Sequence, residues 1–241
     1  MAKENKETRV FRGKSLRIFV SYSSEDKQLA GAIKEGFEHY GMDVFLAHED
    51  ITPSAEWQET ILKRLKQTDV FIPLLTNNFK ESNWTDQETG IAVANRKLIV
   101  PLRVDINPYG FIAKVQAFKF KYDTSRGSNG SKTYSCWDSC LEITKLILNK
   151  KKLRENLKDC LIRSFAKSNS FEDANKKTEM LENYEAFSKE QIEEIVKGSI
   201  ENRQIYEAYK AGVFLKKFMT KYKKHINSKR KKELMKLVSS K

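Results

Sequence analysis

Apolar and polar positions alternate in blocks along the first 150 residues. Residues 16–22 (LRIFVSY) form a short apolar, β-branched and aromatic run, which predicts a buried strand. Ser23, Ser24, Glu25 and Asp26 follow as a helix start. A serine hydroxyl can accept from the free N–H groups there, and acids suit the positive end of the helix dipole. Leu29, Ala32, Ile33, Gly36, Phe37 and Tyr40 keep helical spacing until Gly41 stops the helix, and Met42 to Leu46 reads as a second strand. Residues 47–55 read as a polar loop, and Trp57, Ile61, Leu62 and Leu65 mark a second helix. Val70 to Leu75 is a third strand, Asn77 to Asn83 a turn region and Trp84 to Asn95 a third helix. Leu98 to Val104 and Phe118 to Tyr122 complete the strands. A Gly/Ser/Asn loop (125–131) and a helix at Trp137 to Leu148 follow.

Alternating strands and helices with short connections predict a parallel sheet covered on both faces, with right-handed crossovers. The expected fold class is therefore α/β, a five-stranded parallel flavodoxin-like sheet of order 2-1-3-4-5. Pro73 is discordant inside the third strand, because a central strand uses its N–H groups.

After Lys150 the strand signals stop. Residues 151–168 read as helical, with Leu153, Leu157, Cys160, Leu161 and Phe165 on one stripe, and Ser168 to Asn175 as polar and turn-like. Ser188 to Gln191 has the form of a capping box. Beyond it, Ile192, Ile195, Val196 and Ile200 form one apolar face, and Ile205, Tyr206, Tyr209, Val213 and Phe218 another. The expected organisation is a flexible N-terminus at 1–14, the α/β domain at 15–150, and a helical module with a basic tail at 151–241. The module's apolar faces offer a surface for a partner protein or a second copy.

Charge changes this picture at one end. The formal net charge is +13, and much of it crowds the C-terminus from Lys216 to Lys232. Such a tail can draw in nucleic acid or an acidic surface by counterion release, or it can be a solvated helix end. The three cysteines, Cys136, Cys140 and Cys160, form no CxxC, and His39, His48 and His225 are scattered, so no metal site is expected. Reduced buried thiols, no apolar leader at the N-terminus and no apolar run long enough to span a bilayer predict a soluble, cytoplasmic protein.

In a sheet of this order, ligands bind outside the carboxyl ends of the strands where the winding reverses, between strands one and three. Ser21, Tyr22, Ser23 and Ser24 supply one side of that crevice. Thr76, Asn77 and the segment to Trp84 supply the other, and Glu88 follows about one turn into the next helix, a partly exposed acid in this reading. No GxGxxG, GxxxxGK[ST] or GxSxG competes for the chemistry.

The run from Leu16 to Asp26 (LRIFVSYSSED) resembles the opening strand and loop of Toll/interleukin-1 receptor (TIR) domains. Asp43-Val-Phe-Leu46 with the polar loop 47–55 resembles their second strand and BB loop. Asn83-Trp84-Thr-Asp-Gln-Glu88 resembles their W-x-x-x-E segment, and Leu98-Ile-Val-Pro-Leu102 their fourth strand. The resemblance covers about residues 15–148. It implies an enzyme of the prokaryotic type that cleaves NAD⁺ at the nicotinamide–ribose bond, as a nucleosidase or an ADP-ribose cyclase, in immune defence or signalling. Glu88 is then the catalytic acid, Phe45 lines the nicotinamide side, and Ser23 and Ser24 contact the substrate; NAD⁺ is substrate, and no further cofactor is implied. It also implies self-association through the TIR domain, with the loop 47–56 completing a neighbour's site. The alternative within the family is a non-catalytic adaptor acting through TIR–TIR and helical contacts.

The chemistry is physically coherent. Nicotinamide leaves as a neutral molecule and needs no proton, so the usual pair of glycosidase carboxylates is not required. One carboxylate beneath the ribose can stabilise the oxocarbenium charge, and the first helix's N-terminus is a candidate for the pyrophosphate, with Glu25 and Asp26 opposing it unless they point outward. Each residue also has a plain structural role open to it: Glu88 as a solvated helix acid, Phe45 as core, and Ser23 and Ser24 as helix caps.

Overall fold

The computed structural model describes residues 13–47, 57–126 and 132–239. They divide into two units: residues 15–157, and residues from Lys158 onward together with Lys14.

In the first unit the strands are β1 (Arg17–Ser21), β2 (Asp43–Leu46), β3 (Val70–Leu75), β4 (Leu98–Ile99), β5 (Leu102–Arg103), β6 (Phe118–Lys119), β7 (Asp123–Arg126) and β8 (Lys132–Ser135). The helices are α1 (Lys27–Glu38), α2 (Trp57–Gln67), α3 (Asn77–Glu81), α4 (Asn83–Ala94) and α5 (Trp137–Leu148), and α6 (Lys151–Ala166) runs across the division. The main sheet is parallel, in the order β2-β1-β3-β5-β6, with β4 also on β3. Taking β4 and β5 as the two halves of one strand gives the expected order 2-1-3-4-5.

The single fourth strand expected over Leu98–Val104 is thus broken, and the register explains why. Phe71 pairs with Ile99 and Leu74 with Leu102, so Pro73 lies opposite Pro101. Pro73 faces the fourth strand, as Phe71 two residues before it does in accepting from the Val100 N–H, and it has no N–H to donate, so the ladder lapses there. On its other side Pro73 stays in register with Ser21, within a strand buried at every position.

The core above the sheet follows from the strand period. Phe45, Phe19 and Phe71 stand side by side across β2, β1 and β3, with ring centroids 5.2 and 5.8 Å apart. Ile61 and Leu65 from α2 and Ala92 from α4 cover them. On the other face, α1 meets α5 closely enough that Gly36 leaves no room for a side chain. A Cβ there would fall 2.5 Å from Cys140 Sγ. Cys136 and Cys140 lie with their sulfurs 3.7 Å apart, buried and reduced. Gly36→Ala is expected to cost about 1–3 kcal/mol by overpacking, against the gain of roughly 0.5–1 kcal/mol that the same change brings to an open helix. Urea unfolding followed by tryptophan fluorescence measures it, since Trp57, Trp84 and Trp137 all belong to this unit.

Two elements depart from expectation. Residues 77–81, expected as a turn, form α3, because Thr76 caps it by accepting from the Phe79 N–H and Phe79 is buried. Between Tyr122 and Trp137, where only a loop at 125–131 was expected, the antiparallel pair β7–β8 forms; residues 127–131 lie outside the described residues. Its side chains are exposed along β7, so it shows no apolar alternation.

The second unit is helical: the end of α6, α7 (Phe171–Leu181), α8 (Lys189–Glu201), α9 (Arg203–Tyr206), α10 (Tyr209–Lys221) and α11 (Ser228–Ser239). The capping box at Ser188 and Gln191 forms in full, and Gln191 Nε2 donates to Asp159 at 2.6 Å. Lys14 N–H donates to the same aspartate, and Arg163 donates to the Lys14 carbonyl. The turn expected over 168–175 ends early: Ser170 caps α7, which begins at Phe171. The apolar face expected through Tyr209 and Val213 is also corrected. Both are exposed, at 78% and 40%, while Ala211, Phe214, Leu215, Phe218 and Met219 turn inward. Phe187 meets Phe218 and Tyr222 edge-to-face, and the latter two rings are tilted against each other, a cluster that sets the rotation of α10.

Candidate functional site

Glu88 lies at the carboxyl end of the sheet. The helix α4 packs on β1, β3 and α2, and its sheet-facing stripe is Thr85, Glu88, Thr89 and Ala92, spaced as one helix face. The two threonines satisfy their hydroxyls on backbone: Thr85 donates to the carbonyls of Phe79 and Ser82, and Thr89 to that of Thr85. Glu88 instead faces a side chain. Ser21 Oγ donates to Glu88 Oε2 at 2.5 Å, and Ser21 is fully buried.

This corrects the expectation of a partly exposed acid in the first turn. Glu88 is the sixth residue of α4 and only 3% exposed. Burial pushes its carboxyl up to about 7, with the Ser21 hydrogen bond pulling the other way. A carboxyl so placed changes charge at neutral pH.

The neighbours follow from the register. Ser21 is two residues beyond Phe19, so it shares the face that carries the phenyl row. Continuing the β1–β2 register puts Ala47 opposite Ser21 and Phe45 one step back, opposite Phe19. Phe45 is 6% exposed, tied into the core, and has the Arg64 guanidinium 5.1 Å from its ring centroid. Ser23 is buried and precedes a 3-10 turn (Ser24–Asp26) without capping it through its side chain; Ser24 is exposed. Thus Ser21 joins Glu88 directly, Phe45 stands in the layer behind, and no described hydrogen bond brings Ser23 or Ser24 to the carboxyl.

The first helix starts beside an engaged acid. It begins at Lys27, and the Asp26 carboxylate does not turn outward: it accepts from Thr76 Oγ1 at 2.6 Å and from Asn78 Nδ2 at 3.1 Å. That acid ties the first loop to the end of β3 and holds a negative charge where a pyrophosphate was expected. The sequence named Ser21 and Thr76 as crevice residues and missed their partners. The signal for Ser21 was its spacing of two from Phe19. Asp26 gave none beyond being an acid at a helix start.

Among the described residues no cluster of three His, Cys, Asp or Glu side chains could hold a metal ion, and no helix is long and apolar enough to cross a membrane. His48 and Ile51 of the loop after β2 lie outside the described residues, as does the side chain of Trp57.

A family model described as the TIR domain matches residues 18–130, which span β1 to the start of the β7–β8 pair and include Ser21 and Glu88. The chain carries a TIR domain. A solved TIR domain, from the Toll-related receptor TRR-2 of Hydra magnipapillata, is 21% identical over 42% of this chain and 80% of that one, with a TM-score of 0.37. No curated protein matches the chain. The W-x-x-x-E segment therefore falls inside the TIR domain, with Trp84 half-buried in the first turn of α4 and Glu88 against the sheet.

Proposed function

We propose that this TIR domain cleaves the bond between nicotinamide and ribose in NAD⁺, with Glu88 as the catalytic carboxylate. The observation that carries the reading is the buried carboxyl of Glu88 at the carboxyl end of β1, held by Ser21 and pushed up to about 7. A solvated helix acid has no such environment, and acids whose ionisation is set this far from ordinary gather at functional sites. In the reaction the C1′–N bond breaks with its electron pair going to the nicotinamide nitrogen. Cationic character develops on the ribose, and a carboxylate in a low-dielectric setting stabilises it far better than one in water. Water then adds to C1′ to give ADP-ribose, or an atom of the same substrate adds to give a cyclic product. Phe45, Ser23 and Ser24 lie in the same sheet-end region as candidates for substrate contact, and contact between copies of the domain is part of the proposal.

The adaptor reading is favoured by one observation: Glu88 is nearly covered and its Oε2 is already engaged by Ser21. A substrate must displace that cover, whereas an adaptor need not. Nicotinamide release by the concentrated full-length chain separates the two. The carboxylate is the active form, so kcat/KM is expected to rise with pH and level off above about 7.

A further inference from the structure

We propose that the outer surface of α10 and α11 binds the phosphate backbone of double-stranded nucleic acid without regard to sequence. Residues 208–239 hold eleven lysines and arginines against one acid, Glu233, a formal +10 of the chain's +13. Lys217, Lys223, Lys224, Lys229, Arg230 and Lys232 are all exposed, and none forms an ion pair with a carboxylate among the described residues. The two helices pack on each other, and Lys223 and Lys224 stand in the turn that joins them, which brings the cations of both helices close together. Lys229, Arg230 and Lys231 occupy the first turn of α11, at the positive end of its dipole. Asn227 Oδ1 there accepts from the Lys229 N–H and brings no countercharge. A polyanion offsets that crowding.

The choice of duplex over other polyanions rests on what these helices keep inside. Leu234 and Val238 of α11 and Phe214, Leu215, Phe218 and Met219 of α10 are buried in the helical unit, and the apolar side chains left exposed, Tyr209 and Val213 on α10 and Met235 on α11, are too few to enter a bilayer as a stripe. Single strands are held largely by stacking on aromatic rings, and Tyr209 is the exposed ring of these two helices. What remains is a rod-like cationic face. Two helices at about 1.5 Å per residue present ~20 Å each, against a duplex carrying one charge per ~1.7 Å.

The test is fluorescence anisotropy of the full chain with a labelled DNA duplex of scrambled sequence, several helical turns long. Binding is expected to weaken roughly a thousand-fold between about 50 and 200 mM salt, as about six phosphate contacts require. Lys229→Gln/Arg230→Gln/Lys232→Gln is expected to lower the salt slope by about 3, and Lys217→Gln/Lys223→Gln/Lys224→Gln to do the same independently. Far-UV circular dichroism checks that each variant is folded. Absence of duplex binding at the lower salt overturns the proposal. So does unchanged affinity in both variants, or tighter binding to phosphatidylserine vesicles or to single strands than to duplex.

Discussion

At pH 8 the Glu88→Gln protein is expected to melt higher than the parent, by on the order of 5–10 °C in the α/β unit, and the difference is expected to shrink as pH falls toward 5. The sign follows from the carboxyl's two environments. Unfolded, it ionises near its ordinary 4.5; folded, it ionises at about 7. Between those values the folded protein holds a proton that the unfolded chain has lost, so stability declines as pH rises through that window. Above about 7 the loss is complete, at roughly 3 kcal/mol. Glutamine keeps an oxygen to accept from Ser21 and is neutral at every pH, so it escapes the loss. Tryptophan fluorescence confines the reading to this unit, which holds all three tryptophans. A parent and variant that melt together at pH 8 would place Glu88 in water instead. An acid kept at a cost to stability is what a functional site shows, because selection retains it for something other than folding.

The second large effect lies in the helical unit. Lys177 is 1% exposed and Asp173 7%; the ammonium donates to Asp173 Oδ2 at 2.9 Å and to the Ser164 carbonyl at 3.1 Å. Asp173 also accepts from the Asn169 N–H, which closes the start of α7. Burial lowers the lysine's pKa, and Asp173 partly restores it. Asp173→Ala strands a cation in the core and is expected to cost about 3–5 kcal/mol. That is a large part of the roughly 4–12 kcal/mol that a unit of this size holds. The deficit shrinks as pH rises toward the lysine's ordinary range, because a neutral amine costs less to bury. Adding Lys177→Met to the same chain removes the stranded charge and recovers most of the loss. Far-UV circular dichroism in urea measures both. A single variant within 1 kcal/mol of the parent would mean that the pair contributes little.

These two polar pairs also mark where the sequence stopped being legible. The strand order, α5 to its residue limits and the capping box at Ser188 all follow from apolar periodicity and turn chemistry, and all are present. Apolar periodicity cannot find a polar residue that is buried. The inward stripe of α4 is Thr85, Glu88, Thr89 and Ala92, so the pattern announced a helix without saying which way Glu88 faces. The inward stripe of α7 includes Asp173, Lys177 and Thr178, so its first half passed for a turn. In α10 the exposed Tyr209 and Val213 lie at spacings as regular as those of the buried Phe214 and Phe218, and only the aromatic cluster around Phe187 decides between the faces. For β7–β8 the pattern was silent, because β7 is exposed along its length and only Tyr134 and Ser135 of β8 are half-buried, too few to alternate.

For the site, Glu88 was legible as a candidate and its environment was not. The Ser21 contact joins residues 67 apart in sequence, and it needs both the period of β1 and the rotation of α4. The Asp26 link to Thr76 and Asn78 is of the same kind, and it keeps a carboxylate beside the start of the first helix.

The central claim is tested most directly by nicotinamide released from NAD⁺ by the purified full-length chain at high concentration and pH 8, alongside Glu88→Gln shown to be folded by its melting curve. Release by the parent, with a loss of at least about a hundred-fold in the folded variant, is the predicted result, the scale on which removing one stabiliser of transition-state charge acts. No release from the parent, or equal release from both, contradicts the assignment of Glu88 as a catalytic carboxylate.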